Sequence, residues 1–482
     1  MRLLVIILFL FSLPTLAQTI NWDAPVVVNS EINMGNTRPK IALTKDNIPI
    51  VMWGRAPNRE VYVSKWTGNN FSTPVKVTPQ GVNAFVQNWA GPGLEAQEDT
   101  VYVTFKSQPE QDGFVYVVRS IDGGKTFGDT LRVSSNNWSR FPEVSILPGG
   151  NPVVTYMDFE PGFIEPHYAV CTSDNGGVTF SEPISASGIA PGEACDCCPG
   201  FILAERDQIV VMFRNNDNDL RDIWASVSKD GGRTFPLGKD IDRNDWIIGG
   251  CPSTGPEAIT IGDSLVAVWM SGASGKSKIN IGTADLKALN VGINSEITPE
   301  TNNQQNYPKI DGDGQFIITT WQEIENGSRN IKCSWSDRGP SALISKVPFD
   351  VNVNKKGVQQ SPDISYSNGV VHIVWQDLTA RKVMYRRGEI NVSSINKPTL
   401  ANLDFDLYPN PSNNICTVKL DPIINEKGTI EIRTSVGQLM SIHEIIPGTS
   451  LVINTSNGFN PGVYLVVLDV KGLRTYKTLA VE

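Results

Sequence analysis

Histidine is nearly missing from this chain. Its 482 residues include only His167, His372 and His443, far apart in sequence, which excludes a histidine-rich metal centre. Charge is sparse as well, at 19% of residues, and the surplus is negative, with a net charge of −9. An acidic chain argues against a nucleic-acid partner and against an anionic membrane surface, while a local basic pocket for an anionic ligand stays possible. Beyond the first 17 residues no run is apolar enough to supply the roughly 20 residues of a bilayer span. No membrane span is therefore expected in the mature chain.

Glycine and proline are plentiful, with 42 and 31 residues, and this suits a turn-rich all-β protein. Residues 1–17 read as a secretory signal peptide. Arg2 supplies the positive start, Leu3 to Leu13 the apolar stretch, and Thr15-Leu16-Ala17 a small-x-small cleavage site before Gln18.

The rest repeats. Pro39, Pro92, Pro142, Pro199, Pro256, Pro308 and Pro362 recur every 50 to 57 residues, each opening a short apolar strand. Thirteen or fourteen residues after each proline a second strand ends in an aromatic: Trp53, Phe105, Tyr156, Phe213, Trp269, Trp321 and Trp375. A third β-branched strand follows, as in Val61-Tyr-Val-Ser64 and Ile223-Trp-Ala-Ser226, and then a turn and a fourth strand such as Thr130-Leu-Arg-Val133. Four antiparallel strands at this period describe a propeller blade. Seven units are present. The last lacks an outer strand, which Asp23-Ala-Pro-Val-Val-Val28 could supply from the N-terminus.

Three of the turns share one pattern: Ser120-Ile-Asp-Gly-Gly-Lys-Thr-Phe127, Ser173-Asp-Asn-Gly-Gly-Val-Thr-Phe180 and Ser228-Lys-Asp-Gly-Gly-Arg-Thr-Phe235. Asp122, Asn175 and Asp230 cap their own turns, the glycines supply positive φ, and the phenylalanine plugs the core. The pattern resembles the Asp-box, or BNR, repeat of the sialidase superfamily, in which the box folds a turn and does no chemistry. The resemblance implies a β-propeller over residues 18–395. Sialidases proper have six blades, so the ring holds either seven blades or six and a partial unit.

After a linker at 396–403 the composition changes. Leu407-Tyr-Pro-Asn-Pro-Ser412, Val436-Gly437, Pro461-Gly-Val-Tyr464 and Lys477 closely resemble the type A sorting domain of the type IX secretion system. Residues 404–482 are accordingly expected to form a small β-sandwich that engages the type IX secretion machinery. The resemblance implies passage across the outer membrane, then release or attachment at the cell surface.

Propeller geometry puts the segments before each proline and after each aromatic on the face opposite the Asp boxes. That face carries Arg38, Arg55, Arg140, Arg214 and Arg221. Guanidinium forks suit a carboxylate or sulfate, because they bind an oxyanion through two parallel hydrogen bonds. The competing reading pairs these arginines with loop carboxylates. The sialidase resemblance implies three arginines on the sugar carboxylate, a tyrosine nucleophile backed by glutamate, and an aspartate acid/base. Arg38 falls where that family places its first arginine, although Pro39 follows it directly. Catalytic residues are not assignable on this basis. The expected ligand is an extracellular glycan or other small anion, bound or hydrolysed by an exo-acting glycosidase of sialidase type; a non-catalytic binding or adhesion propeller is the alternative.

Cys195-Asp-Cys-Cys-Pro199 and Cys251-Pro252 open neighbouring units. In an exported protein disulfides are the default, most simply one bridge from the triplet to Cys251. A thiolate site for copper(I) or zinc on Cys195, Cys197, Cys198 and Cys251 is the alternative, and a metal- or redox-linked propeller would follow from it. No other cofactor is expected.

Overall fold

In the computed structural model the described residues are 19–29, 36–55, 59–206, 208–314, 316–391, 405–420, 428–434, 439–445, 450–456, 458–470 and 473–482. The expected signal peptide, the expected linker at 396–403 and Val436-Gly437 lie outside them. The chain divides into two compact units, Gln18–Asn391 and the one containing Val392–Glu482.

The larger unit is a ring of seven antiparallel sheets. Blade 1, for example, runs Asn36–Thr44, Ile48–Arg55, Glu60–Lys65 and Val75–Lys76 from the innermost strand outward. The choice between six and seven blades thus resolves to seven. The aromatics that end the second strands are all buried, because each is directed into a junction between blades. Seven apolar clusters fill the seven junctions. One of them joins Val374, Val383 and Tyr385 of the last blade to Ile41, Val51 and Trp53 of the first.

The ring closes on the N-terminus. Thr19–Trp22 pairs along Lys382–Asn391, and Val26–Val27 pairs further along the same strand. The expected 23–28 segment thus contributes, but four of the pairs come from the residues just before it. Gly388 makes room for this strand: a Cβ there would lie 2.5 Å from Ile20 and 2.7 Å from Trp22.

The three Asp boxes behave as turn capsules. Asp230 Oδ1 accepts from the Thr234 amide (3.0 Å) and the Ser228 hydroxyl (2.7 Å), and Oδ2 accepts from the Thr234 hydroxyl (2.6 Å). Asp122 repeats this set, and Asn175 accepts through its side-chain carbonyl while its amide donates to Thr179 Oγ1. Those bonds hold the Asp230 carboxyl at about 2. The second glycine of each box has positive φ and abuts the preceding blade, Gly232 against Thr172 and Gly177 against Tyr102.

The smaller unit packs a three-stranded sheet (Phe405–Tyr408, Ile415–Leu420, Ser450–Asn454) and a four-stranded sheet around one core that includes Cys416, Ile430, Val466 and Leu479. This is the expected small β-sandwich.

Candidate functional site

The innermost strands converge on a central channel with a cavity of about 420 Å³. Four of them carry the same irregularity. Pairing with the second strand slips between Thr37 and Lys40, Arg140 and Glu143, Asn306 and Lys309, and Gln360 and Asp363. In each slip the residue before proline adopts a left-handed φ of 51°: Arg38, Phe141, Tyr307 and Ser361. Such bulges re-aim a side chain and cost backbone strain, and they gather at functional sites. Here they turn Arg38, Tyr307 and Ser361 into the channel wall, while Phe141 packs edge-on against Trp89.

Arg38 lies with its guanidinium 5.7 Å from the centre of the Tyr307 ring. Glycine at 91 lets the side chain run across blade 2, since a Cβ there would sit 2.9 Å from Arg38 Cβ. Among the described residues Arg38 makes no hydrogen bond or ion pair.

Of the other candidate arginines, Arg140, Arg214 and Arg221 spend hydrogen bonds on this chain. Arg55 lies over the Tyr62 ring within its own hairpin. Arg140 Nε donates to Glu110 (2.7 Å) and Nη1 to the Asp196 carbonyl (3.1 Å), with Phe163 beneath the guanidinium. Arg214 is fully buried, bonds the carbonyls of Arg221 and Met270, and stacks on Trp246. Arg221 donates to the Ile248 carbonyl and to Cys195 Sγ. Arg140, Arg214 and Arg221 therefore gather round the cysteine loop, and of the two remaining candidates, Arg38 and Arg55, Arg38 is the one that lines the channel. The loop-carboxylate reading describes Arg140; backbone carbonyls, which sequence reasoning did not weigh, hold Arg214.

Beside Arg38, and sharing Tyr307 with the channel, lies a second hollow of about 240 Å³. Its wall is rich in amides, from Asn88, Gln304, Gln305, Asn306, Gln322 and Gln360, with Arg329 at its side. Gln360 is spent, accepting from Arg329 (3.1 Å) and donating to Gln376 (2.9 Å). Gln305 is likewise held by Thr298 and Glu323. Gln322 is different: it is 6% exposed, and its side-chain carbonyl has no partner. An unpaired buried carbonyl costs about 1–3 kcal/mol. The Gln305-Asn-Tyr307 and Gln359-Gln360 segments are visible in sequence as strand openings. Asn88, Gln322 and Arg329 come from other strands and loops and carry no linear signal.

Below the mouth the channel is charged. The residue after each blade-opening proline is Lys40, Gly93, Glu143, Gly200, Glu257, Lys309 or Asp363. Lys40 pairs with Glu143, and Lys309 with Glu257 and more distantly with Asp363 (3.6 Å). Glu95 and Asp311 add two further carboxylates. Burial, outweighing the bonds from Ala96 and from Tyr366 and Gly312, pushes Glu95 and Asp311 up to about 7; burial likewise outweighs Lys309 and raises Glu257 to about 7. Five carboxyls against two lysines leave the channel wall with a surplus of acidic groups. This ring is readable from the proline spacing, but an inward-facing charge looks the same in sequence as a solvated one.

A tyrosine–glutamate pair is present, Tyr62 donating to Glu60 at 2.6 Å, but it lies in blade 1's third strand, with Glu60 also bonded to Lys76. Glu323, near the end of the strand Phe316–Glu325, is spent on Asn303, Gln305 and Trp321.

The fold and site define an exported seven-bladed propeller with Asp-box turns and Arg38 in its channel wall. Residues 406–482 match the secretion system C-terminal sorting domain, so the smaller unit is the sorting domain of a type IX secretion substrate, and the chain is exported across the outer membrane to the cell surface or beyond. No curated protein matches the sequence. Among solved structures the chain is similar to a Dyadobacter fermentans protein of unknown function (TM-score 0.44, 11% identity, 77% of this chain and 99% of that one). It is also similar to a PL25 ulvan lyase (0.45, 10%, 76% and 95%) and to the Fusarium graminearum α-L-arabinofuranosidase Arb93A (0.42, 14%, 60% and 89%). The architecture of this chain stands on its own sheets.

Proposed function

We propose that this protein binds acidic extracellular glycans at the channel mouth, Arg38 taking a carboxylate or sulfate and the neighbouring hollow taking sugar hydroxyls. The observation that carries this reading is the Arg38 guanidinium over Tyr307, free of hydrogen bonds among the described residues, beside a hollow walled by side-chain amides. Amides both donate and accept, as hydroxyls do, and a few convergent polar groups in a concavity are what orient a sugar. Binding is favoured over hydrolysis because the Tyr62–Glu60 pair does not face Arg38's pocket and Glu323 is committed to its own chain.

The test compares the native protein with Arg38→Ala, using isothermal titration against carboxylated and sulfated oligosaccharides and turnover of a fluorogenic aryl sialoside. Binding should weaken at least tenfold in the variant, since a charge-assisted hydrogen bond contributes about 1.5–3 kcal/mol. Turnover that vanishes with Arg38 would make the mouth a sialidase pocket instead. Equal binding by both proteins, or none by either, sinks the reading.

A further inference from the structure

The glycan reading leaves the cysteine loop unused. Cys197 and Cys251 are bridged, tying the openings of blades 4 and 5 together, and Cys251 is exposed. Behind them lie Cys195 and Cys198, both fully buried, with their sulfurs 2.7 Å apart. Cys195 Sγ also stands 3.7 Å from Cys197 Sγ, so the inner pair adjoins the outer bridge. A turn closed by the Cys198 amide on the Cys195 carbonyl (3.0 Å) holds this spacing.

The surroundings distinguish the two inner sulfurs. Arg221 Nη1 donates to Cys195 Sγ at 3.0 Å, and Arg214 is bonded to the Arg221 carbonyl. The bond from Cys198, working against burial, brings the Cys195 thiol down, and Arg221 and Arg214 add to it; burial pushes Cys198 up. One sulfur is set to attack and the other to keep its proton, an asymmetry that drives exchange in dithiol pairs. The same guanidiniums oppose a metal cation. With Cys197 and Cys251 bridged, only two of the four sulfurs remain as ligands, which does not fit the four-ligand shell of structural zinc.

We propose that the four cysteines form a two-stage thiol–disulfide exchange site that reduces an external disulfide, either of a small molecule or of another exported protein. Cys195 thiolate attacks Cys197 Sγ; the Cys197–Cys251 bond breaks and Cys251 leaves as thiolate. Cys198 then attacks Cys195 Sγ, closing Cys195–Cys198 and releasing Cys197, which takes up the Cys198 proton. Cys251 attacks the external disulfide, and Cys197 resolves the mixed disulfide, restoring the outer bridge. In sum, two inner thiols and one external disulfide become one inner disulfide and two external thiols. The buried pair supplies the two electrons and the exposed pair passes them out.

The test treats the whole purified chain with oxidised glutathione, measures glutathione released, and maps alkylated cysteines by mass spectrometry. Five cysteines are free at the start, at 171, 195, 198, 333 and 416. Two equivalents of glutathione should be released, leaving only Cys171, Cys333 and Cys416 alkylatable, with Cys195 and Cys198 joined. Replacing both Cys197 and Cys251 by serine should slow this at least tenfold, because the inner pair is buried. Cys198→Ser keeps the outer bridge should that double variant fail to fold, and it should block the second glutathione release. An unchanged thiol count, a wild-type rate without the outer pair, full release from Cys198→Ser, or a stoichiometric metal on the inner sulfurs would each overturn the proposal.

Discussion

The channel carboxyls make the stability of the ring depend on pH, with a sign opposite to that of most acidic proteins near neutrality. Burial holds Glu95 and Asp311 at about 7 in the folded ring, against the ordinary value near 4 in the unfolded chain. Asp240 and Asp242, raised to about 7 chiefly by burial, behave alike. Between about pH 4.5 and 7 the folded ring therefore holds protons that the unfolded chain has released. Stability is fully present below that window and falls as pH rises through 7. The slope is about 1.4 kcal/mol per pH unit for each proton of difference. His372 opposes this, since burial lowers it to about 4, which removes one proton of difference between about 4 and 6.5. Even one net group of this kind leaves the protein about 2 kcal/mol more stable at pH 5.5 than at 7.5. All 11 tryptophans lie between residues 22 and 375, so fluorescence during urea unfolding reports on the propeller alone. Glu95→Gln, which keeps an acceptor for the Ala96 amide (3.0 Å), should reduce the slope by up to one proton and stabilise the ring at pH 7.5. A midpoint that is flat or rises from pH 5.5 to 7.5 would refute the reasoning.

Further outcomes are expected elsewhere in the chain. Gly232→Ala should cost about 1–3 kcal/mol in urea unfolding, because it places a Cβ at φ +87° and 2.7 Å from Thr172. Deleting residues 19–27 should expose the edge of Lys382–Asn391 and produce aggregates on size-exclusion chromatography; a monomer of unchanged stability would count against ring closure by this strand. Truncation after residue 391 should leave the protein cell-associated inside the outer membrane, detected by fractionation of the source cells, whereas export of the truncated chain would remove the tail's role.

The ring was legible because its signals are local and periodic. A proline and an aromatic 13 or 14 residues apart mark two strands whatever lies around them, and the Ser-x-Asp/Asn-Gly-Gly-x-Thr-Phe turns need only their own backbone. The site was legible only in part. Arg38 and Arg214 are equivalent as sequence, both beside apolar strands on the same expected face. One keeps its donors free over Tyr307 and the other spends them on the carbonyls of Arg221 and Met270. That difference depends on which neighbouring blade supplies an acceptor, and no spacing within the chain encodes it. The bridge from the cysteine triplet to Cys251 was expected, but that Cys197 is its member follows from where the turn directs each sulfur.

The strand that closes the ring also sets an order of events. Thr19–Trp22 is made long before its partner, Lys382–Asn391, the last strand of the propeller. It must wait through nearly the whole of translation before it can pair. The sorting domain follows that partner directly, so every chain long enough to carry the export tag already holds both halves of its own clasp. A chain that stops before residue 382 lacks the clasp and the tag together.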